Sequence, residues 1–194
     1  MTRTATVIRT TKETDIRVEL DLDGTGRATA STGMPFFDHM LQQLGKHAGW
    51  DLTVSCQGDL QIDGHHTVED CGIALGQALA DALGDKAGVR RFASVVVPLD
   101  EAAVEVVLDL AGRSFVAHEV PVPYETINGF DTGLLEDFVR AFAQAAELTV
   151  HVHLRSGRSP HHVCEAEFKA LATALGDACA LTGRVGVPST KGSL

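Results

Sequence analysis

Residues 52–82 read LTVSCQGDLQIDGHHTVEDCGIALGQALADA, and residues 148–178 read LTVHVHLRSGRSPHHVCEAEFKALATALGDA. Slid together at a shift of 96, the two stretches agree at twelve of thirty-one positions without a gap. Leu52-Thr53-Val54 falls on Leu148-Thr149-Val150, and His65, His66 and Glu69 fall on His161, His162 and Glu165. Agreement this dense marks a chain written twice. In each copy a stripe of Ala and Leu (Leu75, Ala78, Leu79, Ala82; Leu171, Ala174, Leu175, Ala178) recurs at i, i+3, i+4. Each copy therefore closes with a helix, and the His-His pair lies in its first turn.

Further out, a shift of 88 sets Glu13, Asp21, Leu22 and Gly24 on Glu101, Asp109, Leu110 and Gly112. Between those anchors Ile16, Val18 and Leu20, and likewise Val104, Val106 and Leu108, alternate with other residues. Period-two spacing predicts half-buried strands, with a turn at the glycine. Each copy then has a shorter helix, Pro35 to Ala48 with its proline in the first turn and roughly Gly133 to Ala146, followed by a strand over 50–56 or 148–154. The expected fold class is α+β, with two antiparallel or mixed sheets covering a central layer of helices. The copies are placed at residues 1–93 and 94–182, and the Gly-, Pro- and Ser-rich stretch 183–194 reads by default as a flexible end.

Composition narrows the function. The chain has 194 residues, 44% of them hydrophobic and only 5% aromatic, so its core must be built mainly from Val, Leu, Ile and Ala. A net charge of -10 with no Lys/Arg cluster excludes a nucleic-acid partner. No run of about 18 apolar residues is present, so no membrane helix is expected. Met1 to Asp15 is polar, and the chain reads as cytoplasmic. Cys56, Cys71, Cys164 and Cys179 lack metal or disulfide-scaffold spacing and read as reduced; Cys71 and Cys179, among Ala and Leu at helical spacing, read as small buried hydrophobes.

The doubled His-His-x-x-Glu is the strongest chemical signal. Residues i and i+4 share a helix face while i and i+1 diverge by about 100°. His65 with Glu69 then serves one cation and His161 with Glu165 a second, while His66 and His162 are expected to turn toward the other half's ion. On the preceding helices a shift of 98 makes His39 and Asp137 counterparts, each a further ligand. Imidazole and carboxylate donors without thiolate suit manganese or another divalent ion of similar hardness. His47, His118, His151 and His153 read as structural.

Seven segments, STGMPFFDHML (31–41), HHTVED (65–70), GDKAGVRRF (84–92), PLDEA (98–102), DLAGR (109–113), HHVCEAEFKA (161–170) and PSTKG (188–192), together resemble the imidazoleglycerol-phosphate dehydratase family of histidine biosynthesis. Asp137 stands where that family commonly has His, and Ser159 where it has Asn. The resemblance implies an internally duplicated fold like the second domain of ribosomal protein S5, with four-stranded sheets. It also implies a homo-oligomer of 24 subunits built from trimers, with two manganese ions per active site at subunit interfaces.

The reaction so implied removes a hydroxyl beside an imidazole and a proton from the neighbouring carbon, which is not acidic. If two cations held the ring nitrogens, they would stabilise the imidazolate, whose electrons could expel the hydroxyl; a base would then take the carbon proton and the enol would become a ketone. Candidate bases are Glu13, which the resemblance turns toward the site, and Glu165, with Glu13 preferred. Gln43 is a candidate to hold a substrate hydroxyl, and Lys169 sits four residues after Glu165 on the same helix face. For the phosphate the resemblance supplies Arg91, Arg113, Ser189 and Lys191, with the tail ordering on phosphate. On residues alone, a di-metal hydrolase and a metal-storing shell stay open as rivals.

Overall fold

The computed structural model describes residues 2–194. The first sheet holds β1 (Thr4–Thr10), β2 (Thr14–Asp21), β4 (Asp51–Gly58) and β3 (Ala28–Ser31), in that spatial order. The second repeats it with β5 (Phe92–Leu99), β6 (Ala102–Asp109), β10 (Thr149–Ser156) and β7 (Phe115–Glu119). In both, the two hairpin-linked strands and the third are antiparallel, and the last strand, β3 or β7, runs parallel to its neighbour. That parallel pair needs a crossover, which α1 (Pro35–Ala48) provides in the first half and α3 (Leu134–Ala145) in the second.

The alternation seen in the sequence decides which face is covered. Ile16, Val18 and Leu20 of β2 and Val104, Val106 and Leu108 of β6 are buried, while Arg17, Glu19 and Val107 face out. Against the buried faces lie α1, α2 (His65–Leu83), α3 and α4 (Pro160–Cys179), forming one helical layer between the sheets. Large side chains are few, and buried among the helices Phe37 stacks on Phe130 and Phe138 on Phe142, with Phe37 and Phe138 meeting edge to face.

The helices pair across the duplication. α2 of the first half packs on α3 of the second, and α1 of the first on α4 of the second. Small residues make this possible: a Cβ at Gly76 would lie 2.5 Å from the Phe142 carbonyl oxygen, and one at Gly176 2.7 Å from that of Ala48. Backbones touch here, so each closing helix meets a partner from the opposite copy.

Two features differ from expectation. A hairpin of two-residue strands, β8 (Thr126–Ile127) and β9 (Phe130–Asp131), precedes α3; strands this short carry no readable period. Within residues 183–194, expected as a flexible end, two carbonyls are hydrogen-bonded to the body of the chain. Gly88 N–H donates to the Gly186 carbonyl (2.8 Å), and Arg91 Nη1 donates to the Pro188 carbonyl (2.8 Å). Among the described residues no helix is long and apolar enough to cross a membrane.

Candidate metal centre

Crossed helix packing brings the candidate ligands together. His65 opens α2, with its Nε2 3.9 Å from Glu69 and its Nδ1 3.5 Å from Asp137 of α3. His161, in the first turn of α4, stands 3.3 Å from Glu165, and His39 of α1 approaches the same Glu165 oxygen at 3.6 Å. Each cluster thus draws two residues from one half and one from the other. From the opposite half, Asp137 approaches His65 and His39 approaches Glu165, while His66 and His162 turn to other acids of their own halves. The side chains of His39, His65 and His161 are 45%, 44% and 49% exposed, so both clusters open outward.

The neighbouring imidazoles diverge, with rings at 76° for His65 and His66 and 88° for His161 and His162. His66 turns its Nδ1 onto both oxygens of Asp59 (3.0 and 3.2 Å) and its Nε2 toward Glu13 (3.8 Å). His162 turns its Nδ1 onto Glu101 (2.7 Å) and its Nε2 toward Asp100 (3.8 Å). Hydrogen bonds donated to the Asp59 and Glu101 carboxylates raise the two histidine pKa values. Glu101 is held down to about 2 by His162 and the Ser159 N–H.

Glu165 is occupied on its other side. Lys169 Nζ lies 2.7 Å from it, and although burial opposes ionisation, the ammonium and both histidines outweigh burial and keep its pKa below the usual carboxylate range. Gln43 bridges two histidines: its amide nitrogen donates to His39 Nε2 (3.2 Å), and its oxygen accepts from His47 Nε2 (2.8 Å). It therefore orients His39. His118, read as structural, is buried against Glu167 at 2.9 Å.

The phosphate candidates gather elsewhere. Arg91 grips both oxygens of Asp109 (2.7 and 3.1 Å) while holding Pro188. Ser189 Oγ accepts from the Lys191 N–H (3.2 Å), and Leu194 lies against Gly112, beside Arg113. Arg91 precedes β5 and Asp109 ends β6, whereas Glu101 lies in the turn joining those strands at their far end. Within one chain the strands' length separates this group from His162.

Residues 32–175 match the sequence model of imidazoleglycerol-phosphate dehydratase. The chain belongs to that family. The imidazoleglycerol-phosphate dehydratase of Parafrankia sp. is 56% identical over the whole of both chains, and that of Acidothermus cellulolyticus is 53% identical over 99% of this chain and 93% of its own. The crystal structure of the dehydratase from Staphylococcus aureus superposes with a TM-score of 0.83 at 35% identity, covering 92% of this chain and 99% of its own. The dehydratase from Pyrococcus furiosus in complex with (S)-C348 gives 0.83 at 36%, covering 97% and 100%. This dehydratase-family chain carries its duplicated α+β architecture through to those solved relatives.

Sequence reasoning missed Asp59 and, as an orienting group, Glu101. The signal for Glu101 was present, since the shift of 88 had already set it on Glu13. For Asp59 there was none, because its counterpart at a shift of 96 is Arg155.

Proposed function

We propose that the chain is a cytoplasmic, manganese-dependent imidazoleglycerol-phosphate dehydratase, a hydro-lyase that converts D-erythro-imidazoleglycerol phosphate to imidazole acetol phosphate in histidine biosynthesis. The observation that carries this is the pair of outward-facing clusters, His65–Glu69–Asp137 and His39–His161–Glu165, in a chain of this family. Their donors are imidazole and carboxylate, and all four cysteines are buried. Such a set fits a divalent ion of manganese type. Two ions per site would supply the Lewis acidity that steadies negative charge on the substrate ring.

Among the described residues, no three His, Cys, Asp or Glu side chains of this single chain lie close enough to hold an ion by themselves. Partial clusters that open outward are completed most simply by a neighbouring copy, and the distance between the histidines and the phosphate group favours the same solution. The assembly proposed is a 24-subunit shell of trimers with sites at subunit interfaces.

Within that site His39, His65, His161, Glu69, Asp137 and Glu165 hold the ions, joined by His66 and His162. Lys169 and Gln43 orient Glu165 and His39. Arg113, Ser189 and Lys191 bind phosphate, with Arg91 fixing the tail that carries the last two. Glu13, whose carboxylate lies 3.8 Å from His66 Nε2, takes the carbon proton. The test is product formation from imidazoleglycerol phosphate by chelator-stripped enzyme. Activity should be absent, return with manganese, and stay absent in His65→Ala and His161→Ala; turnover by the stripped variants removes the proposal.

A further inference from the structure

The two halves treat the same acid differently. Glu13, in the β1–β2 turn, and Glu101, in the β5–β6 turn, are repeat counterparts. Glu101 is fully engaged: one oxygen accepts from the N–H groups of Ser159 (2.8 Å) and Arg158 (3.2 Å), the other from His162 Nδ1 (2.7 Å). In the first half the corresponding place on His66 is filled by Asp59, leaving the Glu13 carboxylate 3.8 Å from Nε2. The second half cannot do this, because at Asp59's place it has Arg155, a cation that pairs with Glu105 and accepts no proton. Asp59 and Glu13 are also tied together, since Asp59 N–H donates to the Glu13 carbonyl (3.1 Å).

We propose that Asp59 is a positioning residue: by accepting the Nδ1 proton of His66 it presents the Nε2 lone pair to a metal ion and leaves Glu13 free for proton transfer, whereas Glu101 is committed to orienting His162. A carboxylate has only acceptor oxygens, so a neutral imidazole bonded to it through Nδ1 must carry its proton there. Metal-ligating histidines gain orientation and basicity from such a partner. Duplication thus produced one acid that orients and one that works. This rests on His66 being a metal ligand, as proposed above.

The test measures manganese affinity of the full chain, from the paramagnetic resonance signal of the free ion, beside thermal midpoint and steady-state turnover. Asp59→Ala should weaken manganese binding about 10- to 100-fold. Asp59→Asn, nearly isosteric and still an acceptor, should weaken it less, and covers the case in which alanine fails to fold. In a His66→Ala background, loss of Asp59 should change affinity less than about twofold, because its effect passes through that ring. Glu13→Gln should lose turnover with manganese binding kept, and Glu101→Gln should weaken manganese binding. Parent-like affinity in Asp59→Ala and Asp59→Asn while His66→Ala binds poorly would overturn the proposal, as would losses that multiply in the double variant. Should His66→Ala itself bind manganese like the parent, its assignment as a ligand fails first and the role of Asp59 falls with it.

Discussion

The proposed division of the site between copies makes a quantitative demand on mixed assemblies. The strands β5 and β6 pair from Phe92↔Asp109 at one end to Leu99↔Ala102 at the other. Eight residues at about 3.3 Å each separate Arg91 and the tail from Glu101 and His162 by roughly 26 Å. The glycerol phosphate arm of the substrate is far shorter, so the proposed site requires that one of the two groups come from a second copy. Arg113→Ala and His162→Ala should each be inactive alone, by at least about tenfold, through loss of a phosphate charge and of a metal ligand. Co-assembled in equal amounts, half the sites draw the phosphate group from an intact copy and half of those an intact metal group, so about a quarter of parental turnover should return. The assay is product formation by assemblies refolded together, compared with each variant refolded alone. No gain over the two singles would refute the division.

Four further outcomes follow from packing and charge. Gly76→Ala places a methyl against the Phe142 carbonyl and should cost about 1–3 kcal/mol by forcing α2 from α3, read as a lower thermal midpoint; a midpoint equal to the parent's would contradict the close approach. Phe138→Ala empties the centre of the helical layer and should cost about 3–5 kcal/mol in denaturant unfolding. Deleting residues 188–194 should raise KM strongly through loss of Ser189 and Lys191; an unchanged KM removes the tail from the phosphate site. The His118–Glu167 pair sets a pH dependence. Burial works against the His118 imidazolium, but Glu167 outweighs it and raises the pKa above the ordinary 6.5. A raised pKa stabilises the fold fully below 6.5 and loses that contribution as pH climbs through the raised value. In metal-free protein the midpoint gap between parent and His118→Gln should therefore be widest in acid and narrow in alkali; the opposite trend refutes the pairing.

Much of the fold was legible because burial leaves a period. The alternation in β2 and β6 and the bounds of α1, Pro35–Ala48, were readable because one face of each element meets the core. The crossed pairing of α2 with α3 was not, since aligning the halves compares them and says nothing of how they dock. For the site, the sequence exposed the doubled His-His-x-x-Glu and the counterparts His39 and Asp137. It left open which acids meet His66 and His162, because helix spacing fixes the divergence of adjacent rings but not the partner of the second one. The duplication concealed Asp59 for a physical reason: its repeat partner is Arg155, and the task moved to Glu101 in the other half.

Under the proposed function the two acid–histidine clusters, once completed by neighbouring copies, would each hold a divalent ion. Equilibrium manganese binding to the stripped protein tests it most directly. The parent should bind about two ions tightly per chain, His65→Ala and His161→Ala should each lose tight binding, and the double variant should bind none. Equal stoichiometry in the parent and the double variant would contradict the account.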